Sequence, residues 1–530
     1  MCKPATGQSL SRLMAWSQCL TLILVLTGLS TSCAAPRPVE GEGPWNLTIF
    51  HTNDMHGAFL SRPASWRDDR AEVGGMIALA GHLATERRDA PVSVLLDAGD
   101  FMTGNPICEI EVDGIMGAGF LDMMNQVGYD VGVIGNHEFD LGRENARALA
   151  ARAAFPLLAA EILNENGEPE FDPGPVILQR GDLSIGVMGV STSNLFALTT
   201  DARTGGLSLR DQGTVVSEMI TAIDEQTDLL VLISHNGFDG DKALARRLAG
   251  SGLDIIVGGH SHTRLKKPVL VGDILIVQAG SKLTNLGRLD LQVQADRVVS
   301  YRGRLVELTA AAAPAPDALT QLVHAYQQQV ETDFGQVIGQ LQQDWRRSSS
   351  RESNIGNWIA DRLRERASSD VAFMNSGGIR KDLPAGPITL LDIYEILPFA
   401  NTIVTFELTG EQLLHILEEN AHAAATGAHG ILQVSGIDYR YRKVGDHVEL
   451  ASVEVGGERL LKDQLYQAAA PDYVVASADV YFAMPQPPLA TDLSVRLSAA
   501  IIAAIQVEPT VVAEIEGRIR DITGTPATER

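Results

Sequence analysis

Asn136-His137-Glu138-Phe139-Asp140 gathers an amide, an imidazole and two carboxylates directly after the apolar run Val131-Gly132-Val133-Ile134. The run reads as a short buried strand, so the polar group falls where that strand ends. An Asn carbonyl can bind a metal. The imidazole of His137 can give or take a proton, and Asp140, three residues on, can hold that imidazole in place. Taken alone, the stretch also fits a polar turn that leads into a capped helix.

Four other apolar runs end the same way. Leu47-Thr48-Ile49-Phe50 is followed by His51-Thr52-Asn53-Asp54-Met55-His56, and Val92-Ser93-Val94-Leu95-Leu96 by Asp97-Ala98-Gly99-Asp100. Leu229-Leu230-Val231-Leu232-Ile233 is followed by Ser234-His235-Asn236, and Ile255-Ile256-Val257 by Gly258-Gly259-His260-Ser261-His262. One such loop is an ordinary polar turn. Five of them point to one place, because loops at the carboxyl ends of strands in open α/β sheets converge on a single crevice. Imidazole, carboxylate and amide oxygen suit divalent Zn, Mn, Mg or Ca. The donors suffice for two ions sharing a carboxylate. Such a pair can activate a water and stabilise the attacking and leaving oxygens of a phosphoryl centre.

The elements that must position these groups follow from the pattern. The runs are too short for helices and rich in β-branched residues, and Ile185 to Val190 and Ile274 to Val277 add two more strands. Between them Gly75 to Arg88, Gly142 to Ala154 and Gly213 to Thr227 read as helices. An α/β layered domain over residues 45–308 is expected. The Ala310-Ala311-Ala312-Ala313-Pro314-Ala315-Pro316 segment marks its end. A linker helix over 309–334, with Leu319, Leu322, Val323 and Tyr326 on one face, bridges to a second domain over 335–522. There, Thr409-Gly410-Glu411-Gln412 fits a capping box. Asn375-Ser376-Gly377-Gly378-Ile379-Arg380 is a small-residue turn that lets an anion approach backbone N–H groups, with Arg380 as a fork, or else a tight turn with a solvated Arg. Arg351 precedes the Trp358 helix, whose N-terminus favours an anion.

With 530 residues, 45% hydrophobic and 20% charged, the chain has the composition of a two-domain globular protein. Its net charge of -24 repels phosphate backbones, so a nucleic acid polymer is not an expected partner; a local metal or arginine cluster still admits a small anion. Residues 1–32 read as a signal peptide, with Leu20 to Leu26 as its apolar core and Lys3 and Arg12 as its only charges. Cys33 follows Ser30-Thr31-Ser32 and resembles a bacterial lipobox cysteine, the alternative being ordinary cleavage near Ala34 or Ala35. The expected protein is exported to the periplasm or cell envelope and anchored to the membrane through lipid on Cys33, with 33–44 as a flexible tether. Cys2 and Cys19 leave with the signal and an acylated Cys33 leaves Cys108 alone, so no disulfide framework is expected.

The order Asp-x-His, Gly-Asp, Gly-Asn-His-Glu, Gly-His-Ser-His resembles the calcineurin-like metallophosphoesterases, and nearly all of the chain after the tether resembles the 5′-nucleotidase family. That resemblance implies a four-layer β-sandwich flanked by helices, the linker helix, and a smaller α/β C-terminal substrate domain. It implies one metal on Asp54, His56, Asp100 and His262, and a second on Asp100, Asn136, His235 and His260, with Asp100 as the bridge. His137, oriented by Asp140, is not a ligand; the family role is to stabilise the phosphoryl oxygen or help the leaving group. Arg351, Asn375, Gly377, Gly378 and Arg380 are implied to grip the nucleotide, with Phe399 and Tyr481 stacking on the base. Ser477, Ala478 and Val480 stand where the family carries glycines. The implied activity is hydrolysis of nucleotide phosphate esters by a metal-activated hydroxide. A 2′,3′-cyclic nucleotide, a nucleotide sugar or a protein-bound thiosulfonate is the alternative ester, which His262 and the changed glycines favour. The non-enzyme alternative is a surface nucleotide-binding protein. Oligomeric state is not read from the sequence.

Overall fold

The computed structural model describes residues 43–524 apart from 65, 311, 312, 446 and 488. The expected signal segment, Cys33 and most of the tether lie outside the described residues. No helix among the described residues is long and apolar enough to cross a membrane.

The first half is built on two six-stranded sheets. In one, Trp45–Thr52, Ser93–Asp97, Val131–Val133 and Leu157–Leu158 run parallel, and Asn285–Val293 and Val298–Glu307 complete one edge antiparallel. In the other, Leu183–Val190, Leu229–Ser234, Ile255–Gly258 and Ile274–Val277 are the parallel centre. The apolar runs are continuous because both faces of each strand are buried. In Leu229–Ser234, Leu229, Val231 and Ile233 point between the sheets, where they meet Leu47, Ile49, Val94 and Leu96. Leu230 and Leu232 point the other way, under the helices Gln212–Ile223 and Gly237–Leu248. Phe50 and Leu95 of the first sheet likewise pack under Met76–Glu86 and Ala118–Val127. The result is four layers, helix, sheet, sheet and helix, as expected for this fold class.

The helix Asp317–Phe334 lays Leu319, Val323 and Val330 onto the first domain's helical layer. Its far end touches the second half, where Phe334 meets Tyr394 edge to face at 5.0 Å. The second half centres on a five-stranded sheet in the order Leu432–Ser435, Val371–Asn375, Leu465–Pro471, Thr402–Thr409, Thr491–Arg496. Val371 and Phe373 face the helix Gly410–Thr426, while Ala372 and Met374 face the core that holds Asn354–Ala367 and Leu497–Val507. The Thr409–Gln412 capping box forms in both directions. Both halves belong to one compact unit.

The register brings the chemistry to one edge. Thr52 pairs with Asp97 and Asp97 with Gly132 in the first sheet; Val190 pairs with Ser234 and Ser234 with Gly258 in the second. All five polar loops therefore leave their sheets at the same end, and the second half's Val371–Asn375 ends facing them.

Candidate active site

Asp54, His56 and His262 form one cluster of candidate ligands, and Asp100, His235 and His260 form another; within each, the ligand atoms lie within 4.8 Å of one another. Five of these six residues hold the backbone at positive φ: Asp54 51°, His56 50°, Asp100 56°, His260 70° and His262 54°. Left-handed backbone is uncommon away from glycine and is kept where it serves a site. Close packing maintains it. A Cβ at Gly135 would strike the Asp100 carboxylate, and one at Gly259 would strike the carbonyl of Ala98. Beneath the loops, buried Glu138 accepts backbone N–H groups of Gly135 at 2.6 Å and of Asp100 and Met102 at 3.1 Å. It ties the loop of one strand to the loop of the next.

The donor set fits cations. His235 Nδ1 lies 2.6 Å from the carbonyl of Ala98, which can only accept, so Nδ1 carries a proton and in the neutral ring Nε2 keeps a lone pair for a cation. That lone pair stands 2.9 Å from Asp100 Oδ2. Similarly His56 Nδ1 donates to the carbonyl of Thr103 at 2.8 Å, and its Nε2 lies 3.0 Å from Nε2 of His262, itself 3.3 Å from Asp54 Oδ1. Lone pairs brought face to face at this distance repel unless a proton or a cation lies between them. The buried Asn136 Oδ1 has no hydrogen-bond partner. Divalent ions held here satisfy all of these atoms at once.

His137 stands apart from the clusters. Its Nδ1 is 2.7 Å from Asp140 Oδ2, which leaves Nε2 facing the cleft, 3.9 Å from Asp100 Oδ2. Burial opposes its charge, yet the carboxylates of Asp100 and Asp140 hold the imidazole up at about 9. His260 moves the other way, down to about 4, through burial and the neighbouring His235.

The two halves enclose a cleft of about 350 Å³ lined on one side by Asp100, Asn136, His137, Asp140, His260 and His262 and on the other by Asn375, Gly377, Arg380, Phe399, Tyr473 and Tyr481. Gly377 presents bare backbone, since a Cβ there would approach only Asn375 Nδ2, at 3.9 Å. Gly378 is packed against Met374 and Asn375 instead. Arg380 Nη1 donates to the carbonyl of Gly377 at 3.3 Å, and its guanidinium lies 5.6 Å from the Phe399 ring. Phe399 also stacks on His137, with centroids 5.5 Å apart and planes 22° apart.

Arg351 and Tyr481 are placed differently from the other expected site residues. Arg351 is exposed and does not line the cleft; it sits in a turn whose backbone N–H bonds Ser348 and whose carbonyl accepts Gln433 Nε2 at 2.9 Å. The helix start beside it offers no vacant anion site, because Ser353 caps Gly356 N and buried Glu352 accepts Asn357 Nδ2. Arg347, itself exposed, reaches the residue before Arg380, with Nη1 donating to the carbonyl of Ile379 at 3.4 Å. Its charge bears on Arg380, which burial already lowers. Tyr481 does line the cleft, but its ring is 9% exposed and belongs to the second domain's core. The freer ring is Tyr473, edge-on to Tyr481 at 6.2 Å. Arg203, Leu198 and Asn401 also line the cleft, and no motif marked them in the sequence.

The sequence matches the calcineurin-like phosphoesterase family over residues 47–264 and the 5′-nucleotidase C-terminal domain over 336–486. The 5′-nucleotidase of Vibrio cholerae serotype O1 is 28% identical over 515 residues, covering 87% of this chain and 90% of that protein. The human 5′-nucleotidase is 27% identical over 548 residues, covering 91% and 92%. The crystal structure of a 5′-nucleotidase precursor from Thermus thermophilus superposes with a TM-score of 0.78 at 27% identity, covering 91% of this chain and all of that one. These matches, joined to the site geometry, place the chain in the 5′-nucleotidase family of metal-dependent phosphoesterases, a calcineurin-like phosphoesterase domain followed by a 5′-nucleotidase C-terminal domain.

Proposed function

We propose that the chain is an exported hydrolase of nucleotide phosphate esters that works with two divalent ions. The observation that carries this reading is the meeting of two histidine–carboxylate clusters with a cationic, aromatic wall across one cleft. Asp54, His56, Asp100 and His262 would hold one ion, and Asp100, Asn136, His235 and His260 the other. When bound, the pair supplies Lewis-acid charge and a water-derived nucleophile for attack on phosphorus.

The rest is done by side chains of this protein. Arg380 has guanidinium N–H groups free to fork onto phosphoryl oxygens, and bare backbone at Gly377 lets the anion come close. His137, held by Asp140 through Nδ1, directs Nε2 to a phosphoryl oxygen or to the leaving nucleoside oxygen and donates its proton there. Phe399 and Tyr473 offer faces and edges for a base, with the Tyr481 hydroxyl and Asn375 beside them. The domain limits 45–308, 309–334 and 335–522, and lipidation at Cys33, belong to the same proposal.

The test follows each substrate's own product, phosphate from AMP, UMP with glucose 1-phosphate from UDP-glucose, and 2′- or 3′-AMP from 2′,3′-cyclic AMP, with Mn and with EDTA. Metal-dependent release from AMP supports the nucleotidase reading. Turnover of the cyclic or sugar substrate alone moves the assignment to that ester. No turnover of any of them, with metal bound, overturns the reading.

A further inference from the structure

The segment between Val190 and Ser208 belongs to neither sheet, carries two helices of one turn each, and is one of the places where the first domain touches the second near the cleft. Ser477 Oγ donates to the carbonyl of Ala197 at 3.4 Å. From the next short helix, Asp201–Thr204, Arg203 reaches two carboxylates of opposite domains. Its Nη1 lies 3.5 Å from Asp140 Oδ1 and its Nη2 4.0 Å from Asp472 Oδ2. Its side chain is only 13% exposed, and Asp140 is 7% exposed.

The chemistry of this arrangement is specific. Asp140 spends Oδ2 on His137 Nδ1, and Oδ1 faces Arg203. A carboxylate gripped at both oxygens has one rotamer, and the imidazole bonded to it has one orientation. Asp472 begins the helix Asp472–Ala476 that carries Tyr473 into the cleft. Burial raises the Asp472 carboxyl and Arg203 pulls it back towards its ionised form. Without the guanidinium, two carboxylates from two domains would share the cleft wall with nothing between them.

We infer that Arg203 is a positioning residue for the His137–Asp140 pair, and that it takes its own place from the second domain through Asp472. His137 is thus set for proton donation by a contact that reaches the start of the helix carrying Tyr473. This rests on the proposed role of His137 in ester hydrolysis.

The experiment compares kcat and KM for AMP, with saturating Mn, among wild type, R203Q, R203K, D472N, H137A and the R203Q/H137A double variant. Bound metal and thermal midpoint are measured alongside. R203Q is expected to lower kcat about 30-fold with KM within about threefold, because the group lost acts in the transition state. R203K is expected to recover most of kcat, and D472N to lose about fivefold. On the H137A background R203Q is expected to cost less than about twofold, because the two residues act through one group. Three outcomes overturn the inference: kcat of R203Q within twofold of wild type, a loss confined to KM, or the full loss repeated on H137A. If R203Q does not fold, D472N decides by the same criteria. Wild type without AMP turnover overturns the functional reading instead, and normal wild-type turnover with an indifferent R203Q overturns this inference alone.

Discussion

The metal-side wall of the cleft and the nucleotide-side wall are built by different means. On the metal side, each functional group follows a buried parallel strand by a few residues, and five of six clustered ligands sit on left-handed backbone. Their positions are set by the sheets' register and by packing so tight that no side chain fits at Gly135. On the nucleotide side, the cleft is lined by the end of one strand, the start of one short helix, the end of another and intervening loops, drawn from residues 375 to 481. Those groups are held by contacts with one another and across the domains: Phe399 on His137, Arg380 over Phe399, Arg203 between Asp140 and Asp472. The lesson is that one wall is fixed by sheet register while the other is held by side-chain contacts, several of them between the domains. Damage to the first should remove chemistry, and damage to the second should weaken binding, except at Arg203, whose loss is expected to act on His137 through Asp140.

The largest expected effect falls on the carboxylate proposed to serve both ions. D100N is expected to lower kcat/KM for AMP by about 10⁴-fold and to lose bound metal, as measured by elemental analysis of the purified chain. Chelation with EDTA should abolish turnover in wild type and Mn should restore it. Next come the arginines of the opposite wall. R380A is expected to raise KM about 30-fold, the scale of a lost charge-assisted bond, with a smaller change in kcat. R351A should leave both constants within about twofold, since that side chain is exposed and does not line the cleft; a KM effect equal to that of R380A would restore Arg351 to the phosphate grip. F399A should cost about tenfold in KM for AMP through lost stacking, measured against a substrate without a base.

The smallest expected effect concerns stability. Beneath the metal-side loops lie buried carboxyl groups, Glu138, Glu161 and Asp241, each pushed up to about 7 by burial. For a carboxyl whose folded value is raised, the unfolded chain ionises first as pH rises. Stability is therefore full below about 4.5, declines as pH rises from there through about 7, and stays low above it. Glu161 Oε2 has no hydrogen-bond partner, while Oε1 accepts Gln212 Nε2 at 2.8 Å. E161Q should remove part of that decline, on the order of 2 kcal/mol at pH 8 and nothing at pH 4, read from denaturant midpoints of the metal-free chain. Equal midpoints for E161Q and wild type at pH 8 would contradict the assignment.

Much of the metal side was legible because strand periodicity and ligand chemistry coincide. An apolar run that ends in Gly-Asn-His-Glu states both the element and the group it presents, and the α/β pattern states that the ends converge. Arg203 carried no such sign, since it lies in a segment without periodicity and acts only through contacts made by the folded chain. Tyr473 and Tyr481 stand eight residues apart in one short stretch, and only packing decides which ring is freer. Arg351 looked apt beside a helix start, but Ser353 already supplies the cap there. Glu138 belongs to the Asn136–Asp140 stretch, yet its role as a backbone anchor became visible only in the three N–H groups it accepts.

The most direct test of the central claim, that the strand-end loops carry nucleotide ester hydrolysis through His137, is the paired turnover of AMP by wild type and H137A at equal metal content. The account expects H137A to keep its metals and fold and to lose about 10³-fold in kcat, the scale of a lost proton donor. An H137A variant that releases phosphate at the wild-type rate would contradict it.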